Sequence, residues 1–542
     1  MMDWSKHLIV APILIPLVSG ALMLFIADRQ RVLKSMVGLA SCLLLLLVSL
    51  LLVGIAAADY GASGVYLVAN WASPFGIVLV VDRLSAFMVA LSAVLSVPVL
   101  VFSMARWHSA GAHFHSLFQF LLMGLNGAFL TGDLFNLFVF FEVMLAASYG
   151  LLLHGSGPLR VKAGLHYIAV NLAAALLFLI GVSLIYGTAG TLNIADLAAR
   201  IPGIEPDRRM LMEAGAAVLG VAFLIKAGMW PLCFWLPSAY SVAAAPVAAI
   251  FALLSKVGIY IILRLTMLLF AEGPSAGFGS ALLLYGGMVT LAFGIIGVLA
   301  SQALARIGAY SILVSSGTLL AVIGLNDAAA TSGALLYLVS STLTLGAFFL
   351  LVELVERCQG AGASVLAVTM EAYGDADDDV PEELDGVTMP ATLAMLGVCF
   401  AGCTILLAGL PPLSGFIAKF GILSAIIGTG SIGVPPTGPA LALAALIIIA
   451  GLATLIALTR AGIRTFWSSL DVAVPRVLVV EVAPVLALLA LLAALTIQAG
   501  PALSYMEAAV RSTGKGGSYL NGVMEEKALP SWRDLQPQAS GD

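Results

Sequence analysis

NLFVFFEVMLAASYGLL, residues 136–152, is apolar enough to lie in a bilayer, yet it carries a carboxylate, Glu142, near its middle. Extended to 134–153, the run reaches the roughly 20 residues that a membrane-crossing helix needs. A charge at that depth costs several kcal/mol unless it faces protein or water. The stretch therefore implies a bundle of membrane helices with a polar interior.

The rest of the chain agrees. Of its 542 residues 61% are hydrophobic and 10% are charged, against roughly 25% charged in a soluble domain. That balance excludes a water-soluble enzyme. Runs of crossing length fall near 8–27, 33–58, 77–104, 114–131, 134–153, 163–187, 211–227, 246–270, 279–299, 304–325, 331–355, 388–408 (continuing as a broken helix to about 428), 438–459 and 477–498. The expected fold is an all-α polytopic membrane protein of about 14 helices. The first run is longer than a signal-peptide core and lacks a small-x-small cleavage site, so it reads as a retained span.

Charge sets the expected orientation. With the N-terminus outside, the inner loops and helix ends hold Arg29, Arg31, Lys34, Arg106, Arg160, Lys162, Arg306, Arg357, Arg460, Arg464 and Arg476, whereas the outer loops hold only Arg200, Arg208 and Arg209. The positive-inside rule then places both termini outside. The net charge of −5 comes mostly from one inner loop, 357–387, whose acidic residues run from Glu371 through Asp375 to Asp385. That loop reads as a solvated segment, and nothing points to nucleic acid. The five cysteines, Cys42, Cys233, Cys358, Cys399 and Cys403, form no CxxC pair, so neither a metal nor a cofactor is expected.

Three lysines lie inside apolar sequence, Lys226, Lys256 and Lys419, and Glu142 is the one carboxylate at mid-span. Burial can push a lysine toward neutrality and a nearby carboxylate can restore its charge, which suits a proton carrier as arginine does not. Glu142 pairing with Lys226 or with Lys256 is the natural expectation. Lys226 precedes AGMWPLCFWLP (227–237), and Lys419 follows AGLPPLSGFIA (408–418). The two segments share Gly-x-x-Pro-Leu, with Gly228 and Pro231 in one and Gly409, Pro411 and Pro412 in the other, 181 residues apart. Proline interrupts the helical ladder, and matched interruptions mark repeat transporters. Two five-helix repeats are expected, spans 4–8 and 9–13, inverted because five is odd. The corresponding domains are 1–112, 113–272, 273–462 and 463–542, the last ending in a polar tail.

These motifs resemble the antiporter-like subunits shared by respiratory complex I and the Mrp-type multisubunit cation/proton antiporters. The resemblance spans nearly the whole chain, and the FFEVML wording is most similar to the D subunit of the Mrp complexes. It implies a bacterial inner-membrane protein, not itself an enzyme, that works with other subunits to exchange protons for sodium or potassium in pH homeostasis. By position it puts the family's paired glutamate and lysine on Glu142 and Lys226, the central lysine on Lys256 and the terminal lysine on Lys419. A proton-pumping subunit of a complex I-type oxidoreductase or a membrane-bound hydrogenase is the alternative.

One departure stands out. Many relatives carry AYSSISH where this chain has AYSILVSS (309–316), which places Ser315 at the central histidine, while Ser340 and Ser341 fall where relatives often have His or Lys. Hydroxyls can bridge water but cannot hold a proton as a base at neutral pH. His154 and His166 are interfacial residues that could deliver protons from the inner side. Asp133 reads as a helix cap, and Trp71, Trp107 and Trp467 as aromatic anchors. Asp82 and Arg83, being adjacent, point apart on a helix and are not expected to pair.

Overall fold

The computed structural model describes residues 4–27, 29–58, 64–373, 391–428, 436–466, 477–514 and 517–526. From the N-terminus, α1 (Trp4–His7), α2 (Ala11–Phe25) and α3 (Arg31–Ala58) lead to a hairpin of β1 (Gly64–Leu67) and β2 (Val78–Val81). Next come α4 (Arg83–Ala105), α5 (Phe114–Leu130), α6 (Leu134–Leu152), α7 (Pro158–Ala189), the short α8 (Ile194–Arg200) and α9 (Pro206–Ala227). After a break follow α10 (Trp235–Val242), α11 (Ala245–Leu269), α12 (Ser280–Ala300), α13 (Leu304–Leu325) and α14 (Ala328–Tyr373). The chain closes with α15 (Ala391–Ala408), α16 (Ser414–Ile427), α17 (Gly438–Phe466), α18 (Val479–Ile497), α19 (Ala499–Gly514) and α20 (Gly517–Glu525).

Among the described residues, 12 helices are long and apolar enough to cross a membrane. With the shorter apolar α2 and α5 they account for the fourteen runs read from the sequence. The most acidic part of the 357–387 loop, Trp467 and the end of the tail lie outside the described residues. The start of the tail is not the plain polar extension expected. It folds back as α19 and α20, burying Met506, Val510, Tyr519 and Val523, and the Tyr505 hydroxyl donates to the Arg83 carbonyl at 3.0 Å.

Burial separates the helices into a centre and a wall. α11, α13 and the stretch of α14 from Ala330 to Val352 are almost entirely enclosed, whereas α3, α7, α15 and α18 each leave one face open. A helix that is apolar on every side belongs inside a bundle. The enclosed helices carry Lys256, Ser315, Ser340 and Ser341, so the polar groups found in the sequence collect along the core.

Both expected breaks are present. α9 ends at Ala227 with Gly228 at φ +74°, and α15 ends at Ala408 with Gly409 at φ +75°. The left-handed conformation favours glycine because a side chain there would clash with the backbone. Each break also holds a cis X-Pro bond, Trp230–Pro231 and Pro411–Pro412.

The inventory of buried charge needs one correction. Arg264 lies near the end of α11 and reads in the sequence as a span end, but it is buried and its Nη2 lies 2.7 Å from Asp82 Oδ1. Asp82 also accepts from the Ser85 amide to cap α4, and Arg264 Nε donates to the Tyr260 hydroxyl. Arg83 turns away to the Ala56 carbonyl, so the adjacent residues do point apart, and the real partner comes from a distant helix. Removing one member of a buried pair strands the other. Asp82→Ala is expected to destabilise the protein by about 3–5 kcal/mol, read as a lower melting temperature of the purified complex, and Asp82→Leu combined with Arg264→Met should recover most of that loss.

Candidate functional site: a line of buried lysines

Lys256 is fully enclosed in α11, and its Nζ donates to Ser315 Oγ of α13 at 2.7 Å. Ser315 Oγ lies 3.0 Å from Ser341 Oγ of α14. The preceding residue, Ser340, points about 100° away around the same helix and meets Ser414 Oγ, at the start of α16, at 3.0 Å. Adjacent serines thus reach different neighbours, one toward Lys256 and one toward the second break.

Lys419 lies in the second turn of α16. Its side chain folds back over the break, and Nζ donates to the carbonyls of Leu407 and Ala408 at 3.1 and 2.9 Å. These are the last carbonyls of α15, which a helix end leaves without amide partners and which carry its negative dipole end. The fit is close: a Cβ added at Gly409 would stand 2.6 Å from Lys419 Cδ. At the first break the Ile225 carbonyl, three residues before Gly228, accepts from the Trp235 indole at 3.3 Å and from the Gly228 amide at 3.2 Å.

Lys226 occupies the last turn of α9, with Nζ 5.7 Å from the centre of the Phe141 ring. Glu142, which follows Phe141, is close enough for its charge and that of Lys226 to act on each other, but no direct salt bridge joins them. Both groups are half-buried. Glu142 borders an open stripe of α6 formed by Phe135, Val139 and Ala146. On the other side of Lys226 is a cavity of about 10 Å³ that Ser148, Tyr167, Asn171 and Tyr240 share with Leu254, two residues before Lys256. Ser148 Oγ and the Tyr167 hydroxyl are 2.7 Å apart, and the buried Tyr240 hydroxyl has no hydrogen-bond partner among the described residues. A cavity of that size, with such partners, suits a single water.

The structure therefore joins Lys256 to Ser315 and Ser341, joins Ser340 to Ser414 at the second break, where Lys419 also lies, and sets Glu142 and Lys226 beside the first. The histidines lie elsewhere. His154 Nε2 contacts the Trp107 carbonyl at 2.7 Å, and His166 is exposed on the wall of α7. Burial holds the His154 imidazole below its usual range; the Trp107 carbonyl opposes this shift and Arg160 adds to it. Trp107 is more than an anchor, since its indole donates to Glu353 Oε2 at 2.7 Å. Asp133 caps α6 as expected, accepting from the Phe135 and Asn136 amides. Sequence reasoning missed Ser148, Tyr167, Asn171, Tyr240 and Ser414. The available signal was the i, i+4 spacing of Tyr167 and Asn171 at the edge of the apolar middle of α7. Among the described residues no group of His, Cys, Asp and Glu could hold a metal ion.

Residues 131–435, which contain the four charged residues and both breaks, match the family described as NADH:quinone oxidoreductase/Mrp antiporter, transmembrane. The chain belongs to this family. It is 61% identical over 520 residues to the D subunit of a probable K(+)/H(+) antiporter of Rhizobium meliloti, covering 94% of this chain and 96% of that one. It is 35% identical over 469 residues to the D subunit of an Na(+)/H(+) antiporter of Alkalihalophilus pseudofirmus, covering 85% and 87%. A chain of the Mrp complex from a Dietzia species superposes with a TM-score of 0.81 at 26% identity, covering 96% of this chain and all of that one.

The Lys256–Ser315 bond is the shortest link in the line and the easiest to test. Leaving one partner of a buried hydrogen bond unsatisfied costs about 1–3 kcal/mol, so Ser315→Ala should slow proton transport by roughly fivefold to a hundredfold. Ser315→Thr, which keeps the hydroxyl, should retain transport. The measurement is cation-driven pH change in everted vesicles, normalised to complex abundance.

Proposed function

We propose that this chain is the D-type subunit of a hetero-oligomeric monovalent cation/proton antiporter in a bacterial cell membrane, and that it carries protons along the buried lysine line. The observation that carries this reading is the Lys256–Ser315–Ser341 and Ser340–Ser414 pairing, which joins the central lysine to the broken helix that holds Lys419. Its relatives' names, with sodium or potassium as the exchanged ion, support the antiporter class. Residues 113–272 and 273–462 serve as two inverted units, each contributing one break. The excess of basic residues at one end of the bundle supports both termini facing outward.

In this mechanism the lysines store protons and the hydroxyls pass them. A proton arriving at Lys256 repels the charge on Lys226 and weakens its hold, so that Lys226 and Glu142 change their separation. The hydroxyls of Ser315, Ser341, Ser340 and Ser414 each both donate and accept, so with water between them they relay a proton toward Lys419. Lys419, held by fixed backbone carbonyls, loads and releases at the far end.

Partners follow from Glu142. A half-open carboxylate on the wall of the bundle would face hydrocarbon if the subunit stood alone. A neighbouring subunit covering Phe135, Val139 and Ala146 removes that cost and gives cation movement elsewhere in the complex a way to act on Glu142. A redox-driven pump built on the same line is the alternative, and co-purification with redox subunits would establish it.

Glu142→Ala and Lys226→Ala should each abolish sodium- or potassium-driven pH change in everted vesicles while leaving the complex assembled. Full exchange at normal protein levels in either variant would refute the assignment.

A further inference from the structure

One polar cluster takes no part in the lysine line. It sits at the end of the bundle where Arg106, Arg160 and Arg357 gather, and Trp107, in the short turn between α4 and α5, stands at its centre. The Trp107 carbonyl meets His154 Nε2 at 2.7 Å, and the Arg160 guanidinium lies over the indole, 5.0 Å from the ring centre. Arg160 Nη1 also donates to the His154 carbonyl at 3.0 Å. The connection between α6 and α7 thus grips both the backbone and the ring of Trp107. Its indole Nε1, which can only donate, reaches the other way, to Glu353 Oε2 of α14 at 2.7 Å.

Each side of this contact leads to a part of the proposed proton route. Arg160 Nε donates to the Val242 carbonyl at 2.8 Å. Val242 closes α10, the half-helix that follows the first break. Its carbonyl is one of those that a helix end leaves without an amide partner, and a guanidinium there also meets the negative end of the dipole. On the other side, Glu353 lies on the helix that carries Ser340 and Ser341, about 18 Å along from Ser341 at 1.5 Å per residue. Beyond it, Arg357 Nη1 meets Glu481 Oε1 of α18 at 2.7 Å, and Arg106 Nε reaches the same oxygen at 3.3 Å. α14 is therefore tied to α18 by two guanidiniums on one buried carboxylate, and to the first break through an indole. That second tie is the more responsive one. A cation over an indole draws density from the ring and makes its N–H a better donor, and Arg160 acts electrostatically on Glu353 as well. Withdrawal of Arg160 loosens both interactions.

We propose that Trp107 is a positioning residue for transport, coupling the half-helix behind the first break to the serine helix α14. This rests on the reading of the buried lysine line as the proton route. When Lys226 and Glu142 change their separation, α10 shifts and Arg160 follows the Val242 carbonyl. The Trp107–Glu353 bond then weakens, and α14 turns by the small angle that resets the contacts of Ser340 and Ser341.

The test is cation-driven pH change by the whole complex in everted vesicles, read together with complex abundance and melting temperature. Trp107→Phe keeps a ring beside Arg160 and removes the N–H. It should lower the maximal rate about tenfold, the factor for one lost hydrogen bond to a carboxylate, with the half-saturating cation concentration, abundance and melting temperature unchanged. Glu353→Leu should do the same, and adding Trp107→Phe to it should cost nothing more. Glu353→Gln, which keeps an acceptor for the indole, should retain transport. A full maximal rate in Trp107→Phe, or a loss that only follows a lower abundance or melting temperature, would overturn the proposal. So would losses that multiply in the double variant, or a Glu353→Gln complex as slow as Glu353→Leu. Full transport in Trp107→Phe beside an inactive Lys226→Ala would remove the coupling and leave the lysine route standing, whereas full transport in Lys226→Ala would remove the route itself.

Discussion

A lysine side chain with no solvent exposure, near the centre of an enclosed helix, is the constraint around which this molecule is arranged. Removing such a polar group from water is expensive whether or not it is protonated, and the cost falls only when hydrogen bonds replace the lost hydration. Ser315 supplies that bond to Lys256, Ser341 supports Ser315, and both need α13 and α14 pressed against α11. The polar line and the compact centre are therefore one feature. Without close packing the serines would not reach the lysine, and without the serines the lysine would not be tolerated in the packed centre.

Serine in place of a central histidine changes what that centre can do. An imidazole can hold a proton for a time, whereas a hydroxyl only passes one on. On the proposed mechanism storage is confined to the lysines, and the stretch between Lys256 and Lys419 acts as a conductor. Such a conductor depends on geometry more than on proton affinity, which is why two 3.0 Å contacts made by adjacent residues of α14 matter. A small rotation of that helix would lengthen one contact and shorten the other, so α14 is well placed to gate the line.

How much of this could be read in advance follows from the physics. Glu142, Lys226, Lys256 and Lys419 stand out because the bilayer penalises charge, so their presence in apolar runs needs a reason. Both breaks are legible because glycine and proline leave a local mark. Arg264 escapes because its position near a helix end is equally compatible with a solvated guanidinium, and only the folded chain brings Asp82 to it from another helix. Tyr167 and Tyr240 escape because aromatic residues are as much at home in lipid as in a polar cavity. Ser414 escapes because nothing local separates a serine that starts a half-helix from one that relays. Whether a polar group is satisfied is decided by contacts between distant segments.

The two breaks show how one repeat can serve two purposes. At the first, the Ile225 carbonyl is taken by the Trp235 indole, which has no charge to exchange, and Lys226 is left to answer to Glu142. At the second, the Leu407 and Ala408 carbonyls are taken by Lys419 itself. Lys226 thus has a partner that can move, and its hold on a proton can be altered from outside by whatever lies against the open stripe of α6. Lys419 has partners fixed in the backbone, and its hold can change only through what arrives along the hydroxyls or through a shift of the break. On the proposed mechanism, an adjustable input end and a fixed output end would give the line a direction, even though the two breaks share the same Gly-x-x-Pro-Leu segment.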